Sequence, residues 1–319
     1  MAIRRTRALI VGLVAVLASG LASLVTGVGI AHADSTLISV YSPSMNKNIP
    51  VKVLRAAGDG PAPTLYLLDG LRAPDDNNGW LIETDVERFF AGKHVNVAIP
   101  FGGGGTFYSD WQRDDPKLGR VKWETFLTRE LPPVMASQFG SDGVNNAIAG
   151  LSMSGTSALN LAVHRPDFYK AVASYSGYPT ASSPGFAQGI QVSVREMGGN
   201  PLNMWGFWPS ASWIRNDPML NVSALRGKAV YISSGAGSPG DDPTVNPASD
   251  DFDPMKFAQM VPLETASGLS SQTFVPAVKL AGAKLQTHIT DDGIHTWTYW
   301  QDRLHESWNS TIAPALGTA

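Results

Sequence analysis

The stretch Gly150-Leu151-Ser152-Met153-Ser154-Gly155 decides the fold of this 319-residue chain. It follows the apolar run 144–149, which predicts a buried strand, and it precedes residues 156–164, which have helical periodicity. A serine at a sharp turn from strand to helix, with small neighbours that relieve crowding, is typical of a nucleophile elbow. The usual pattern is Gly-x-Ser-x-Gly, but here glycine arrives one residue late, at Gly155. We therefore expect Ser152 to be an exposed nucleophile.

Strand-like and helix-like stretches alternate along the rest of the chain. The residue pattern predicts strands at 37–41, 49–54, 64–68, 94–100, 144–149, 171–175, 229–233 and 284–290. Helical periodicity is clearest at 123–139, 156–164 and 302–312. This alternation favours a mostly parallel central sheet with helices on both faces, and together with the elbow it predicts an α/β-hydrolase fold. No repeat or low-complexity linker divides the chain, so we expect one catalytic domain over 34–319.

Residues 1–33 have the pattern of a signal peptide. Three arginines in the first seven residues precede the uncharged apolar stretch 8–30, and Ala31-His32-Ala33 supplies the small residues that a signal peptidase prefers. The apolar stretch is long enough to span a bilayer, so an uncleaved anchor is the alternative. We expect cleavage, no transmembrane segment in the mature chain, and a secreted or cell-envelope protein.

Charge and cysteine content exclude several classes of function. The formal net charge is −3, and removal of the three N-terminal arginines would make the mature chain more negative. This balance argues against nucleic acid and anionic membrane surfaces as partners. The chain has no cysteine, which excludes disulfides, thiol catalysis and cysteine-ligated metals. We predict neither a metal nor an organic cofactor.

A catalytic serine needs a histidine base, which follows the serine and the acid in the chain order of this fold. His288, His295 and His305 come late enough in the sequence. His288 lies within the last predicted strand, and His305 lies on a charged face of the terminal helix. His295 lies in a loop directly after the final strand, where the base belongs. We therefore predict His295 as the base.

The acid that orients this histidine is less clear from the pattern. Asp241 and Asp242 follow the predicted strand 229–233 closely, whereas Glu264 comes later and would have to reach in from a helix. Position alone favours Asp241 over Glu264, and both alternatives remain open on that evidence.

An oxyanion hole requires two backbone N–H donors near the serine. In this fold one comes from the residue after the nucleophile, here Met153, and the other from the loop after an early strand. Leu71 directly follows the predicted strand 64–68 within Asp69-Gly70-Leu71-Arg72. We predict that the amides of Leu71 and Met153 form this oxyanion hole.

The insertions 182–216 and 238–253 are candidates for the walls of a substrate pocket, although a mobile loop is an equal alternative for the second.

Several motifs together resemble one known family. They include Tyr66-Leu67-Leu68-Asp69-Gly70-Leu71-Arg72-Ala73, Phe107-Tyr108-Ser109-Asp110-Trp111, Lys122-Trp123-Glu124-Thr125-Phe126, Arg215-Asn216-Asp217-Pro218 and His295-Thr296-Trp297. In this order they resemble the secreted mycolyltransferases of mycobacteria, the antigen 85 family. The matches run from about residue 42 to residue 300, nearly the whole predicted mature chain.

This resemblance implies a function and a set of site residues. Family members move a mycolyl chain from one trehalose monomycolate to another, or to cell-wall arabinogalactan, through an acyl-serine. The resemblance also implies Ser152 as the nucleophile and His295 as the base. It implies Glu264, in place of Asp241, as the acid. It also implies that the oxyanion amides are those of Leu71 and Met153. The sugar-binding residues that it implies are Asp69, Arg72 and Trp297.

The sequence departs from the family at some positions. Thr180 replaces a family aspartate, the segment 266–269 lacks bulky and basic side chains, and the family's cysteines are missing. These departures concern the acyl channel and the second sugar site. Two other readings stay open: a secreted carboxylesterase with water as the acceptor, and a non-catalytic relative that binds host matrix protein or cell-wall glycan.

Overall fold

The computed structural model describes residues 34–238 and 243–318. The predicted signal peptide 1–33 and the alternative acid Asp241 lie outside the described residues. Eight strands form one sheet: β1 Ser35–Ser42, β2 Lys47–Leu54, β3 Ala62–Leu68, β4 Asn96–Pro100, β5 Ser141–Leu151, β6 Tyr169–Tyr175, β7 Ala229–Ser234 and β8 Lys284–Ile289. Each predicted strand corresponds to one of these, with ends shifted by a few residues.

The spatial order of the strands is β1-β2-β4-β3-β5-β6-β7-β8. β1 and β2 form an antiparallel hairpin, and β2 also pairs antiparallel with β4. Every other neighbouring pair is parallel. The sheet is therefore mostly parallel, as the alternation of elements predicts, and the carboxyl ends of its parallel strands meet at one edge. In sheets of this kind that edge holds the ligand site.

The core is divided by the sheet into two layers. Alternate residues of one strand point to opposite faces, so Leu65 and Leu67 of β3 pack in one layer while Tyr66 and Leu68 pack in the other. All four are fully buried. Such apolar runs on both faces are the mark of strands covered by helices on each side.

The helices that cover the sheet are α1 Gly79–Glu83, α2 Val86–Phe90, α3 Trp123–Thr125, α4 Leu131–Phe139, α5 Met153–His164, α6 Phe186–Glu196, α7 Pro201–Met204, α8 Ala211–Arg215, α9 Pro254–Ala281, α10 Trp297–Ser307 and α11 Ala313–Leu316. A π-helical turn, Phe126–Glu130, joins α3 to α4 within the predicted helix 123–139. A second one, Trp308–Ile312, follows α10. The predicted helix 302–312 thus begins earlier than expected, at Trp297.

The longest helix, α9, has no clear hydrophobic periodicity in the sequence. Its buried side carries polar residues, namely Glu264, Ser267, Ser270 and Ser271, beside Phe274 and Val278. It also contains two interior prolines, Pro262 and Pro276. An amphipathic pattern is visible only when the buried face is apolar. Hydrophobic periodicity therefore does not give the bounds of the helix from which Glu264 was expected to reach the site.

Candidate active site

Ser152 lies at the junction of β5 and α5, with φ of 53° and ψ of −121°. A left-handed φ at a non-glycine residue costs about 1–3 kcal/mol and occurs mainly at functional sites. The turn is tight enough to require glycine on either side. A Cβ at Gly150 would lie 2.4 Å from the carbonyl oxygen of Ser154, and one at Gly155 would lie 3.0 Å from Gly177 Cα. The sequence therefore folds into the strained elbow that the pattern predicts.

Ser154, which stands where the usual pattern has glycine, strengthens the elbow. Its hydroxyl accepts a hydrogen bond from the Leu151 amide at 2.8 Å. The same oxygen lies 2.9 Å from the Leu151 carbonyl and 3.1 Å from the Leu68 carbonyl. The departure from the motif thus adds a local side-chain bond that ties the turn to β3.

The structure brings three of the predicted site residues into one hydrogen-bonded chain. His295 Nε2 lies 2.7 Å from Ser152 Oγ, and His295 Nδ1 lies 2.7 Å from Glu264 Oε2. With Nδ1–H donated to the carboxylate, Nε2 is free to accept the serine proton. His295 is placed by the loop after β8, and its ring packs edge-on against Trp300 at a centroid distance of 4.9 Å.

The Glu264 carboxylate is completely buried, and its Oε2 atom lies 2.7 Å from His295 Nδ1. Its second oxygen, Oε1, accepts hydrogen bonds from the Gly235 amide at 2.6 Å and from the hydroxyls of Ser176 and Ser234 at 2.9 and 3.1 Å. Hydrogen bonds of this number can hold a carboxylate in an apolar interior. Glu264, the acid that the family resemblance implies, therefore lies beside His295.

Leu71 and Met153 carry the two amides that are predicted to form the oxyanion hole. Met153 is the first residue of α5, so its N–H has no partner within the helix. The Leu71 N–H donates no hydrogen bond to any residue within 34–238 or 243–318. The Leu71 carbonyl accepts from the Gly105 amide at 3.0 Å, which fixes this loop after β3. Both residues line the same cleft as Ser152, as an oxyanion hole requires.

The three residues predicted to bind sugar all line the cleft. Asp69 is buried and accepts backbone hydrogen bonds from Gly70 and Gly79, both at 2.6 Å. Burial raises the pKa of Asp69 above its usual value, and these two bonds partly oppose the rise. Trp297 stands directly over Gly79, where a Cβ would lie 2.2 Å from the indole ring.

Arg72, the third of these residues, is engaged at the cleft mouth. Its Nε and Nη2 atoms lie 2.8 and 2.6 Å from Glu196 Oε1 at the end of α6. Both side chains are largely exposed, so this ion pair is worth at most about 1 kcal/mol. A polar ligand can replace such a pair at little cost.

The cleft itself has a volume of about 1220 Å³. Apolar residues of α6 and α9 contribute to its lining, and they include Phe186, Ile190, Met260, Leu263 and Leu269. The volume is larger than that of most small-molecule sites and suits a large, mostly apolar ligand. The insertion 182–216 does form a wall of this cleft through α6, as the sequence indicates.

The other late histidines lie elsewhere. His288 pairs with Glu306 at 2.9 Å. His305 pairs with Asp85 at 2.8 Å and stacks on Phe89. Thr180, which replaces a family aspartate, hydrogen-bonds to Ser270 of α9 at 2.8 Å. None of these residues lines the cleft.

Sequence reasoning missed three residues near the serine. Ser176 and Tyr178 follow β6, and Glu196 ends α6; no motif marks them. The one available signal is position, since Ser176 and Tyr178 come directly after a parallel strand. Ser176 also has a left-handed φ of 51°, a feature that only the structure reveals.

The described part of the chain contains no group of three or more histidine, cysteine, aspartate or glutamate side chains that could hold a metal ion. Within 34–238 and 243–318, no helix is both long and apolar enough to cross a membrane.

Comparison with known structures places this geometry in a wider group. The chain superposes on MPT51 (FbpC1) of Mycobacterium tuberculosis with a TM-score of 0.74 and 26% identity, over 90% of this chain and 99% of that one. An S-formylglutathione hydrolase from Agrobacterium tumefaciens gives a TM-score of 0.64 at 17% identity, over 89% and 95% of the two chains. The latter likeness shows the α/β-hydrolase fold alone.

Sequence comparison is more specific. The family model named Esterase matches residues 42–309. The chain is 35% identical to diacylglycerol acyltransferase/mycolyltransferase Ag85C of Mycobacterium avium over 92% of this chain and 88% of that protein. It is 36% identical to Ag85A of Mycobacterium ulcerans, with coverages of 94% and 89%. The chain therefore belongs to the antigen 85 mycolyltransferase family of acyl-transferring serine enzymes.

Proposed function

We propose that this protein is an exported mycolyltransferase that moves a long acyl chain between trehalose esters, or from a trehalose ester to cell-wall arabinogalactan, through an acyl-enzyme on Ser152. The observation that carries the proposal is the unbroken hydrogen-bonded chain from Ser152 through His295 to Glu264, placed at the end of an apolar cleft. Lipid and glycolipid substrates suit a cleft that is lined by apolar side chains together with Asp69, Arg72 and Trp297.

The first half-reaction follows from this arrangement. Ser152 Oγ gives its proton to His295 Nε2 and attacks the ester carbonyl carbon. The carbonyl oxygen becomes an oxyanion, which the amides of Leu71 and Met153 stabilise. When the bond to the leaving sugar breaks, His295 returns the proton to that sugar's oxygen, and the acyl group remains on Ser152. Glu264 holds the imidazole in the required tautomer and stabilises its charged form.

The second half-reaction reverses these steps with another sugar. Its hydroxyl gives a proton to Nε2 and attacks the acyl carbon, after which Ser152 is released. Asp69 and Arg72 are suited to bind sugar hydroxyls, and the Trp297 indole is suited to pack on the apolar face of a pyranose ring. Arg72 would give up its ion pair with Glu196 and bind the sugar instead.

The test is direct. Purified protein is incubated with trehalose monomycolate, and dimycolate is measured by mass spectrometry. We expect dimycolate from the unmodified protein and a loss of several orders of magnitude for Ser152→Ala. Ser137→Ala, which changes an exposed hydroxyl on α4, is the matched control. An activated phosphonate should label Ser152 in the unmodified protein.

The outcomes separate the candidate functions. Free mycolic acid with no dimycolate, even at high trehalose concentration, would instead indicate a carboxylesterase with water as the acceptor. Absence of both products and of phosphonate labelling would indicate a non-catalytic protein that binds glycan or host matrix.

A further inference from the structure

The glycine run 102–105 lies just after β4, and the mechanism above gives it no role. Three of its residues, Gly102, Gly103 and Gly105, have left-handed φ angles of 81°, 87° and 70°. Residues with a side chain rarely adopt such angles, so this backbone path requires glycine. The path brings the run against the loop 70–74, which carries the Leu71 amide.

Two backbone hydrogen bonds join the run to that loop. The Gly105 amide donates to the Leu71 carbonyl at 3.0 Å, and the Gly102 amide donates to the Pro74 carbonyl at 2.8 Å. The loop is therefore held near both of its ends by the same four glycines.

The direction of the Leu71 N–H depends on how this loop is held. The Gly70 carbonyl and the Leu71 N–H belong to one planar peptide unit, so a bond that fixes the carbonyl also fixes the N–H. The Gly70 carbonyl accepts from the Ala73 amide at 3.3 Å. Gly70 also lies against the elbow, because a Cβ there would be 2.9 Å from Leu151 Cδ1. A shift of Ala73 would therefore tilt the Leu71 N–H beside the strand that leads to Ser152.

Gly104 makes the closest approach between the run and the loop. A Cβ at Gly104 would lie 3.0 Å from the Leu71 carbonyl oxygen, 3.1 Å from the Ala73 carbonyl oxygen and 3.0 Å from Met197 Cε. Two of these three neighbours are backbone atoms, which can give way only if the loop moves. Gly104 does not have a left-handed φ, so an alanine there would disturb this contact without straining its own backbone.

Tyr108 in turn holds the run. This tyrosine is fully buried, and its hydroxyl donates to the Gly102 carbonyl at 2.9 Å. A Cβ at Gly103 would lie 2.6 Å from the Tyr108 ring, so the ring packs directly on the run. Loss of the Tyr108 hydroxyl would loosen Gly102, whose amide binds the end of the loop.

We propose that the glycine run 102–105 is a positioning element of the oxyanion hole, which holds the Leu71 N–H in place through the loop 70–74. The proposal rests on the oxyanion role of Leu71 in the proposed function. An oxyanion donor is effective when it is already fixed before charge develops, because it then needs no reorientation during the reaction. Gly104 and Tyr108 are positioning residues in this arrangement, since they act on the oxyanion only through Leu71.

The experiment compares Gly104→Ala with the unmodified protein in two measurements. One is kcat/KM for p-nitrophenyl butyrate. The other is the inhibition constant of butyl trifluoromethyl ketone: Ser152 Oγ bonds to the ketone carbon, its proton passes to His295 Nε2, and the ketone oxygen becomes an oxyanion. Misplacement of a reacting group by about 1 Å can cost on the order of a hundredfold in rate.

The alanine Cβ should move the loop by a few tenths of an ångström. We therefore expect kcat/KM to fall by about threefold to thirtyfold and the inhibition constant to rise by the same factor. Tyr108→Phe removes one hydrogen bond and should shift both quantities by about threefold to tenfold. A role in packing alone would not move the two quantities in parallel.

Two control variants make the same kinds of change elsewhere. Gly199→Ala would place a Cβ 2.8 Å from Leu118 Cδ1 and 2.9 Å from the Trp111 ring. Tyr175→Phe removes a buried hydroxyl that bonds to Ser307 at 2.6 Å. Both should lower the free energy of unfolding, measured by urea denaturation, and leave the inhibition constant unchanged.

Unchanged values of kcat/KM and of the inhibition constant in a folded Gly104→Ala variant would overturn the proposal. A fall in kcat/KM with no rise in the inhibition constant would do the same. If Gly104→Ala does not fold, Tyr108→Phe decides by the same two measurements. If the unmodified protein neither cleaves the ester nor reacts with an activated phosphonate, the acyl-enzyme of the proposed function is wrong, and the role of the run fails with it.

Discussion

Two of the glutamate–histidine pairs in the described part of the chain resemble each other at one ring nitrogen and differ at the other. In the cleft, His295 Nδ1 lies 2.7 Å from Glu264 Oε2. At the C-terminal end of α5, His164 Nδ1 lies 3.1 Å from Glu124 Oε2. The difference is at Nε2. That of His295 faces the Ser152 hydroxyl, whereas that of His164 faces the carbonyl oxygen of Arg215 at 2.8 Å.

This difference decides what each pair can do. A carbonyl oxygen only accepts hydrogen bonds, so His164 Nε2 must carry a hydrogen and cannot act as a base. A serine hydroxyl can give up its proton, so His295 Nε2 can accept it. A histidine beside a buried carboxylate is therefore not by itself a catalytic feature. The group that faces the second ring nitrogen determines whether the pair can act in catalysis or only stabilises the fold.

The carboxylates are also held in different ways. Glu124 is bound by the Arg215 guanidinium through contacts of 2.7 and 3.1 Å, as well as by His164. Burial alone would raise the pKa of Glu124, but the bonds from His164 and Arg215 and their charges outweigh it and lower the pKa to about 2. Glu264 instead receives an amide and two serine hydroxyls. The Glu124 pair joins α3, α5 and α8.

The largest expected effect comes from removing each histidine in turn. His295→Ala should lower ester turnover by about ten-thousand-fold, because loss of one member of a serine triad removes most of its catalysis. His164→Ala should keep turnover within about tenfold, but it should lower the free energy of unfolding by about 1–3 kcal/mol, since its hydrogen-bond partners stay partly buried without it. Turnover of p-nitrophenyl butyrate and urea denaturation measure the two effects. A ten-thousand-fold loss of turnover in a folded His164→Ala variant would break the distinction between the pairs.

The second prediction concerns the pH dependence of stability that arises from the pair of Glu124 and His164. The folded-state pKa of Glu124, about 2, is lower than the usual value of 4.5. Ionised Glu124 therefore stabilises the folded state by about 2–3 kcal/mol above about pH 4.5. This contribution is lost as the pH falls from there toward 2. Urea denaturation between pH 7 and pH 2.5 should show this decline, and Glu124→Gln should be less stable at pH 7 with a flatter profile.

The outcome that would contradict this assignment is an equal acid-dependent loss in Glu124→Gln and in the unmodified protein. Glu87→Gln is the matched control. That glutamate makes a partly exposed ion pair with Lys52, at 3.3 Å, and accepts a hydrogen bond from Ser35 Oγ at 3.2 Å. Its replacement should leave the pH profile unchanged.

Much of this site follows from local sequence. The elbow at Ser152 is predicted because glycines and an apolar strand must surround a strained turn, and the structure has the left-handed φ that the prediction implies. His295 is predicted because the loop after the last parallel strand lies at the edge where the elbow emerges. Both inferences need only strand order and the rule that carboxyl ends of parallel strands meet.

The acid and the cleft residues do not follow from local sequence. Glu264 is 31 residues before His295 and reaches it from a helix whose buried face is polar. No hydrophobic period indicates such a helix. Position alone therefore favours Asp241, which lies outside the described residues, and only the family resemblance indicates Glu264.

The smallest expected effect tests the hydroxyls that hold Glu264. Ser234 Oγ lies 3.1 Å from Glu264 Oε1 and 2.9 Å from Ser267 Oγ. Ser234→Ala leaves the Gly235 amide and Ser176 on the same oxygen, so we expect turnover of p-nitrophenyl butyrate to fall only about threefold to tenfold, the worth of one neutral hydrogen bond. Ser271→Ala is the control, because its buried hydroxyl has no hydrogen-bond partner among the described residues. It should leave turnover unchanged and stability equal or higher. If Ser234→Ala also leaves turnover unchanged, the Gly235 amide and the Ser176 hydroxyl are sufficient to hold the Glu264 carboxylate. The comparison with the arginine-bound Glu124 then concerns those two donors alone.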